Sequence, residues 1–372
     1  MRKIVITGGH LTPAQAVISE LQKKGGWEIY YLGRKYATEG EKALSAESKI
    51  VPGLGVKFIP VVSGRLQRRF TRHTISSIFR IPFSFLQSFG LLLKIKPDAI
   101  LSFGGYVSVP IVISGWFLRI PVLTHEQTVV FGLSSRINSF FAKKIAVSFP
   151  QSLAFFPKNK AILTGNPIRK EIFEVNKSLI IQSSNLPIIY VTGGNQGAHA
   201  INMAVMEILP KLLEKYIVVH QCGDRDYEFL NQQSAALRLH SGQVNDQQLM
   251  KNYFLTPYIG PGDIGWVLNK ADLIISRSGA NTVCELAALG KPSILIPIPW
   301  TYQDEQTKNA QMLKSAGIAE ILPQDELSSQ TLLSKINEMF KNLKDYQKHK
   351  EDAKKLVNLD ASEKIAEEIN NL

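Results

Sequence analysis

Apolar residues come in short β-branched runs separated by longer stretches with helical spacing. Runs of this kind fall at 3–7, 28–32, 56–61, 99–102, 121–124, 144–147 and 161–164. A second series falls at 187–192, 216–221, 253–258, 272–275, 293–296 and 318–321. Continuous apolar strands alternating with helices predict parallel sheets with right-handed crossovers. Residues 327–372 read as helical and rich in Lys and Glu, and a terminal helix there could return to the first half.

One phrase occurs in both series. Residues 4–10 read Ile-Val-Ile-Thr-Gly-Gly-His, and residues 189–195 read Ile-Tyr-Val-Thr-Gly-Gly-Asn. A strand ending in such a turn brings backbone close to a ligand and points helix-start N–H groups at anions. The repeat predicts two doubly wound, Rossmann-like α/β domains facing a central cleft. The expected divisions are 1–165, 166–345 and a terminal segment 346–372, with the linker at Thr164-Gly165-Asn166-Pro167.

Length and composition fit this picture: 372 residues, 45% apolar. Cys222 and Cys284, the only two cysteines, sit in apolar segments and read as reduced thiols rather than a disulfide framework. The opening Met-Arg-Lys-Ile-Val-Ile-Thr-Gly-Gly is too quickly broken by glycine to read as a secretory signal. No run approaches the roughly 20 apolar residues of a membrane span. A cytoplasmic, non-spanning protein is expected.

The net charge of +12 is concentrated in one stretch. Between Glu47 and Asp98 there is no acidic residue, and Arg68, Arg69, Arg72 and Arg80 are mixed there with Phe70, Ile75, Phe79 and Phe83. Basic and aromatic residues at helical spacing read as a patch for anionic lipid headgroups, formed by Arg68, Arg69, Phe70, Arg72, Ile75, Phe79 and Phe83. A buried helix with a solvated basic face is the alternative. Nucleic-acid binding ranks last, because the stretch is more apolar than phosphate recognition requires.

Four segments of the second half carry chemistry. Gly193-Gly194-Asn195-Gln196-Gly197-Ala198 opens a helix whose dipole and N–H groups suit a diphosphate. Ser276-Arg277-Ser278-Gly279 leads into Ala280-Asn281-Thr282-Val283-Cys284-Glu285, where Glu285 could accept both hydroxyls of a ribose or simply favour a helix start. Asp304, Gln306 and Asn309 offer groups suited to sugar hydroxyls. Arg169 follows the linker and could hold a phosphate bidentately or lie on the surface.

These segments, in this order, resemble the MurG family of peptidoglycan glycosyltransferases. The first half agrees, through Thr7-Gly8-Gly9-His10 with Pro13, Ser102-Phe103-Gly104-Gly105-Tyr106-Val107-Ser108, and Ile120-Pro121 followed by His125-Glu126-Gln127. The resemblance spans about residues 1–325. It implies a GT-B fold, UDP-N-acetylglucosamine as donor, inversion at the anomeric carbon, and neither cofactor nor metal. It implies transfer to the 4-hydroxyl of a polyprenyl-diphosphate-linked muramyl-pentapeptide, by an enzyme peripheral to the cytoplasmic face of the plasma membrane. His10 is the implied base. Thr7, Gly8, Gly9, Arg169, Asn195, Ile259, Ala280, Asn281, Thr282, Val283, Cys284, Glu285 and Gln306 are the implied donor contacts. Tyr106, His125, Glu126 and Thr128 are the implied acceptor side.

The match has departures. The first loop lacks the family's leading glycines. Thr128 stands where the family has Asn, Asn195 where it has Ser, and His199 where it has Arg. Asp224-Arg225-Asp226 spells an acid-x-acid metal signature and is read as a decoy, because helix dipoles already supply anion binding. The alternatives are a glycosyltransferase acting on diacylglycerol, a UDP-sugar epimerase on the same fold, and a membrane-surface UDP-sugar-binding scaffold.

Overall fold

The computed structural model describes residues 1–36, 44–62, 72–129, 132–175, 185–194, 196–240 and 250–372, with residues 72–80 and 238–240 described in backbone only. The chain divides into two compact units. The first comprises Met1–Arg169 and Asn358–Leu372, the second Lys170–Val357. The divisions thus lie beyond 165 and 345, and residues 346–357 stay with the second unit.

Among the described residues the first unit holds seven strands: β1 (Arg2–Gly8), β2 (Trp27–Gly33), β3 (Lys57–Pro60), β4 (Ala99–Phe103), β5 (Val122–Glu126), β6 (Lys144–Val147) and β7 (Ala161–Leu163). Their order is β3-β2-β1-β4-β5-β6-β7, and the ladder is parallel throughout. Between them run α1 (Leu11–Lys24), α2 (Ala46–Ile50), α3 (Arg72–Ile95), α4 (Ser108–Phe117) and α5 (Leu133–Phe141). Strands β1, β4 and β5 are buried from end to end, apart from the first two residues of β1. This explains why β1 and β4 read as apolar runs rather than alternating ones, whereas β5 also buries Thr124, His125 and Glu126.

The second unit repeats the plan with β8 (Ile188–Thr192), β9 (Ile217–Gln221), β10 (Tyr253–Thr256), β11 (Leu273–Ser276), β12 (Ser293–Leu295) and β13 (Ala319–Ile321). Their order is β10-β9-β8-β11-β12-β13, again parallel. Its helices are α6 (His199–Leu213), α7 (Asp224–His240), α8 (Pro261–Lys270), α9 (Ala280–Leu289), α10 (Glu305–Ser315), α11 (Ser329–Lys341), α12 (Leu343–Lys348) and α13 (Lys350–Lys354). A last helix, α14 (Ala361–Asn370), belongs to the first unit. Ile365, Ala366 and Ile369 of α14 are fully buried in the core that also holds Leu11, Ala14, Val17, Ile18 and Leu21. Asn358 ties the return in place by donating from Nδ2 to the Thr164 carbonyl at 3.0 Å.

In each sheet the strand order reverses beside the first strand of the unit, between β1 and β4 and between β8 and β11. In doubly wound sheets, ligands bind beyond the C-terminal ends of the strands at such a reversal. The glycine turns after β1, β4, β8 and β11 stand there.

Candidate functional site

In the first unit two glycine turns interlock. Gly8 pairs with Phe103 across β1 and β4, and a Cβ on Gly8 would lie 2.7 Å from the Phe103 carbonyl carbon. Gly9 N donates to the Gly104 carbonyl at 3.0 Å, and Gly104 and Gly105 both take left-handed φ values of 65° and 76°. Side chains larger than hydrogen would force the two turns apart. Asn138 of α5 braces the second turn: its Nδ2 donates to Ser102 Oγ at 3.1 Å and to Ser108 Oγ at 2.8 Å, and Ser108 Oγ donates to the Gly105 carbonyl.

His10 sits where β1 turns into α1, as the residue before the helix. It is partly buried, and its Nδ1 lies 2.7 Å from Gln127 Nε2. Burial and then the nearby Arg34 guanidinium lower its pKa from 6.5 to about 4, so the ring is neutral at physiological pH. Arg34, at the end of β2, is held by Glu47 at 3.0 Å and donates to Tyr106 Oη at 3.3 Å. Neither Arg34 nor Gln127 stood among the sequence's site residues. Arg34 offered no signal beyond a charge after a strand, and Gln127 only its place after His125-Glu126.

The remaining acceptor-side residues lie deeper. His125 is buried, with Nε2 at 3.2 Å from the Gly165 carbonyl and from Ser148 Oγ. Glu126 Oε1 accepts from Thr128 N at 3.0 Å and from Thr128 Oγ1 at 2.7 Å, and burial raises its pKa. Both residues build the turn that carries Gln127. Thr7 differs from its implied role as a donor contact: its side chain is fully buried, so its hydroxyl faces the core of the first unit.

In the second unit the loop after β8 is equally tight. A Cβ on Gly197 would lie 1.7 Å from the Cys222 carbonyl oxygen, so only glycine fits. Gln221, from β9, ties the loop to the segment after β10. Its Nε2 donates to the Gly194 carbonyl at 2.9 Å, and its Oε1 accepts the Ile259 N–H at 2.9 Å. The Ile259 N–H is therefore already used inside the protein. Gln221 had no sequence signal, being one more residue of an apolar run. Asn195 lies outside the described residues.

The turn after β11 feeds α9, where Glu285 is 8% exposed in the second helical turn. Ala280, Val283 and Cys284 are core residues, so only their backbone is placed to meet a ligand, while Asn281 and Thr282 are half-buried. Arg277 spans this turn and its neighbours, donating to the Ile296 carbonyl and to Gln324 Oε1. Gln306 is half-buried, and its Oε1 accepts from Ile298 N at 3.0 Å. It follows two consecutive left-handed residues, Gln303 (φ 49°) and Asp304 (φ 54°), a strained arrangement for side chains other than glycine. Asn309 corrects the sequence reading. It is fully buried and donates to the Ser278 carbonyl at 3.1 Å, so it braces the turn instead of facing a sugar. Asp226 of the acid-x-acid triplet binds His199 Nδ1 at 3.1 Å and Asn202 Nδ2 at 2.7 Å.

Of the basic-apolar patch, Arg68, Arg69 and Phe70 lie outside the described residues, as do the side chains of Arg72, Ile75 and Phe79. The rest of α3 buries some apolar residues and exposes several large ones. Ser84, Ser88 and Leu92 are buried, whereas Phe83, Leu86 and Leu93 are 54%, 74% and 50% exposed. Among the described residues no helix is long and apolar enough to cross a membrane.

The chain matches the glycosyltransferase family 28 N-terminal domain over residues 6–147 and the family 28 C-terminal domain over residues 188–369. It is 34% identical over 355 residues to the UDP-N-acetylglucosamine–N-acetylmuramyl-(pentapeptide) pyrophosphoryl-undecaprenol N-acetylglucosamine transferase of Lachnoclostridium phytofermentans, covering 93% of each chain. It is also 34% identical to the second such transferase of Bacillus cereus, covering 92% of each. Among solved structures it resembles MurG of Acinetobacter baumannii (TM-score 0.69, 24% identity, all of both chains). It also resembles the UDP-GlcNAc 2-epimerase of Neisseria meningitidis (TM-score 0.62, 16% identity, all of both chains). At these identities the two structures speak for the fold alone.

Proposed function

The chain belongs to the MurG family of family 28 glycosyltransferases, and from that premise we propose that it moves N-acetylglucosamine from UDP-N-acetylglucosamine to the 4-hydroxyl of a polyprenyl-diphosphate-linked muramyl-pentapeptide. Its parallel sheets are those of the GT-B fold. The observation that carries the reading is His10, a neutral imidazole held at Nδ1 between two glycine turns, in a chain whose relatives carry this activity over nearly their whole length. The diacylglycerol, epimerase and scaffold readings have no comparable support.

In the proposed reaction His10 Nε2 takes the proton of the acceptor hydroxyl. The oxygen attacks the anomeric carbon from the face opposite the diphosphate. The carbon–oxygen bond to UDP breaks, giving inversion. The departing charge is met by the N–H groups of the 193–197 loop, the positive end of α6 and Arg169. Glu285 takes the ribose hydroxyls and Gln306 the sugar. The Ile259 backbone faces the uracil edge, its N–H passing from Gln221 to the base. Tyr106 meets the acceptor, while His125, Glu126 and Thr128 shape that side from beneath. A depressed pKa makes His10 a weak base in the free protein. Burial is the larger cause of that depression; an anionic acceptor brought beside Arg34 offsets the smaller, charge-based part and raises the imidazole pKa, making the ring a stronger base.

We place the enzyme on the cytoplasmic face of the plasma membrane, as a peripheral protein. Phe83, Leu86 and Leu93 project from a helix whose small polar residues face inward, and the acid-free stretch around them draws the face to anionic lipid.

Incubation with UDP-N-acetylglucosamine and lipid I tests the reaction by mass spectrometry. The acceptor should gain one N-acetylhexosamine. His10→Ala should abolish the gain while UDP-N-acetylglucosamine still binds; unchanged turnover in that variant refutes the base assignment.

A further inference from the structure

Gln127 is 6% exposed and its amide is 2.7 Å from His10 Nδ1, although the two residues are 117 positions apart. The pairing decides which ring nitrogen of a neutral His10 carries the proton. If the amide nitrogen faces Nδ1, it donates there, and the imidazole proton sits on Nε2. A base needs its lone pair at that atom. The same orientation leaves Gln127 Oε1 buried without a hydrogen-bond partner among the described residues. A half-turn of the amide exchanges oxygen and nitrogen, which have nearly the same size and shape. Oε1 then accepts Nδ1–H, and the NH2 group turns inward. His125, two residues earlier, also carries a buried acceptor. With Nε2–H donated to the Gly165 carbonyl at 3.2 Å, its Nδ1 is an acceptor, buried and unpartnered among the described residues.

We propose that Gln127 is a positioning residue for His10: its amide oxygen accepts the Nδ1–H bond and fixes the tautomer whose Nε2 lone pair meets the acceptor hydroxyl. The inference rests on His10 being the base. The groups that act on His10 come from three places. Arg34 lies at the end of β2, with Glu47 and Tyr106 paired to it. His125 lies on β5, and Gln127 itself follows β5. Among the described residues none of the charged ones bonds Nδ1, so a neutral amide sets the tautomer without raising the basicity of the ring as a carboxylate would.

Full-length protein labelled with 15N-histidine provides the test, His10 being assigned by the signal lost in His10→Ala. Long-range 15N–1H spectra should show Nδ1–H in the wild type and a shift toward Nε2–H in Gln127→Met, which keeps the length and loses the acceptor. Turnover in Gln127→Met should fall by about a hundredfold or more with the KM for UDP-N-acetylglucosamine unchanged. Gln127→Glu should keep Nδ1–H and move the acidic limb of kcat/KM to higher pH. An Nε2–H tautomer in the wild type overturns the proposal. So does a Gln127→Met protein with the wild-type tautomer and pH profile, even if His10→Ala is inactive and the base assignment stands. Full turnover in His10→Ala overturns that assignment and this proposal together.

Discussion

Tyr253, His220, Asn202, Asp226 and His199 form a continuous polar chain through the second unit. His220 is fully buried, with Nδ1 at 3.0 Å from Tyr253 Oη and Nε2 at 2.9 Å from Asn202 Oδ1. Burial lowers its pKa from 6.5 to about 3. The unfolded chain therefore takes up this proton at higher pH than the folded one. The stabilisation from the neutral ring is complete above about pH 6.5, shrinks as pH falls, and is gone below about 3. His125, lowered to about 4, adds to the loss over a similar range. Thermal midpoints measured across that range should decline, and His220→Gln should flatten part of the decline. A midpoint independent of pH there contradicts the assignment. At this scale the sequence shows which residues have useful chemistry but not which of them the protein uses for itself. Asn309 and Thr7 carry the right groups and are buried. Gln127 and Gln221 make decisive contacts with residues 117 and 38 positions away, which no local spacing reveals.

Elements were far more legible than contacts. Each of the thirteen apolar runs forms a strand; the interior ones are apolar at consecutive positions because both faces are covered, while the edge strands β3 and β7 are only partly buried. The helical tail is less regular than its composition suggests, breaking into α11, α12, α13 and α14, with Ser328 closing a capping box at the start of α11. Helix α3 is the element on which the proposed membrane association rests. Serine toward the core and Phe, Leu and Leu toward solvent make it a poor surface for water and a good one for acyl chains. Phe83→Glu with Leu86→Glu should lower association with anionic vesicles by about tenfold or more, from lost apolar insertion and added negative charge. Turnover on a water-soluble acceptor analogue should stay at the wild-type level. Vesicle flotation unaffected by both substitutions would remove α3 from the membrane face.

For the whole molecule, the informative fact is that the first unit is built from two separated pieces of chain. Helix α14 fills a groove on α1 with Ile365, Ala366 and Ile369, and Trp27 Nε1 bonds Asn370 Oδ1 at 3.1 Å. A chain stopped at Val357 should show weakened amide-exchange protection in α1 and β1, with protection of β8 and β11 and binding of UDP retained. Equal protection of α1 in the two chains would show that α14 is dispensable. The same connectivity sets a timetable on the ribosome. Residues 170–357 must all be translated before α14 exists, which at 5–20 residues per second takes about ten to forty seconds. For that interval the nascent first unit exposes the apolar groove that α14 later fills. The second unit has its whole sequence synthesised first, so the half that begins last is the half whose sequence is completed first.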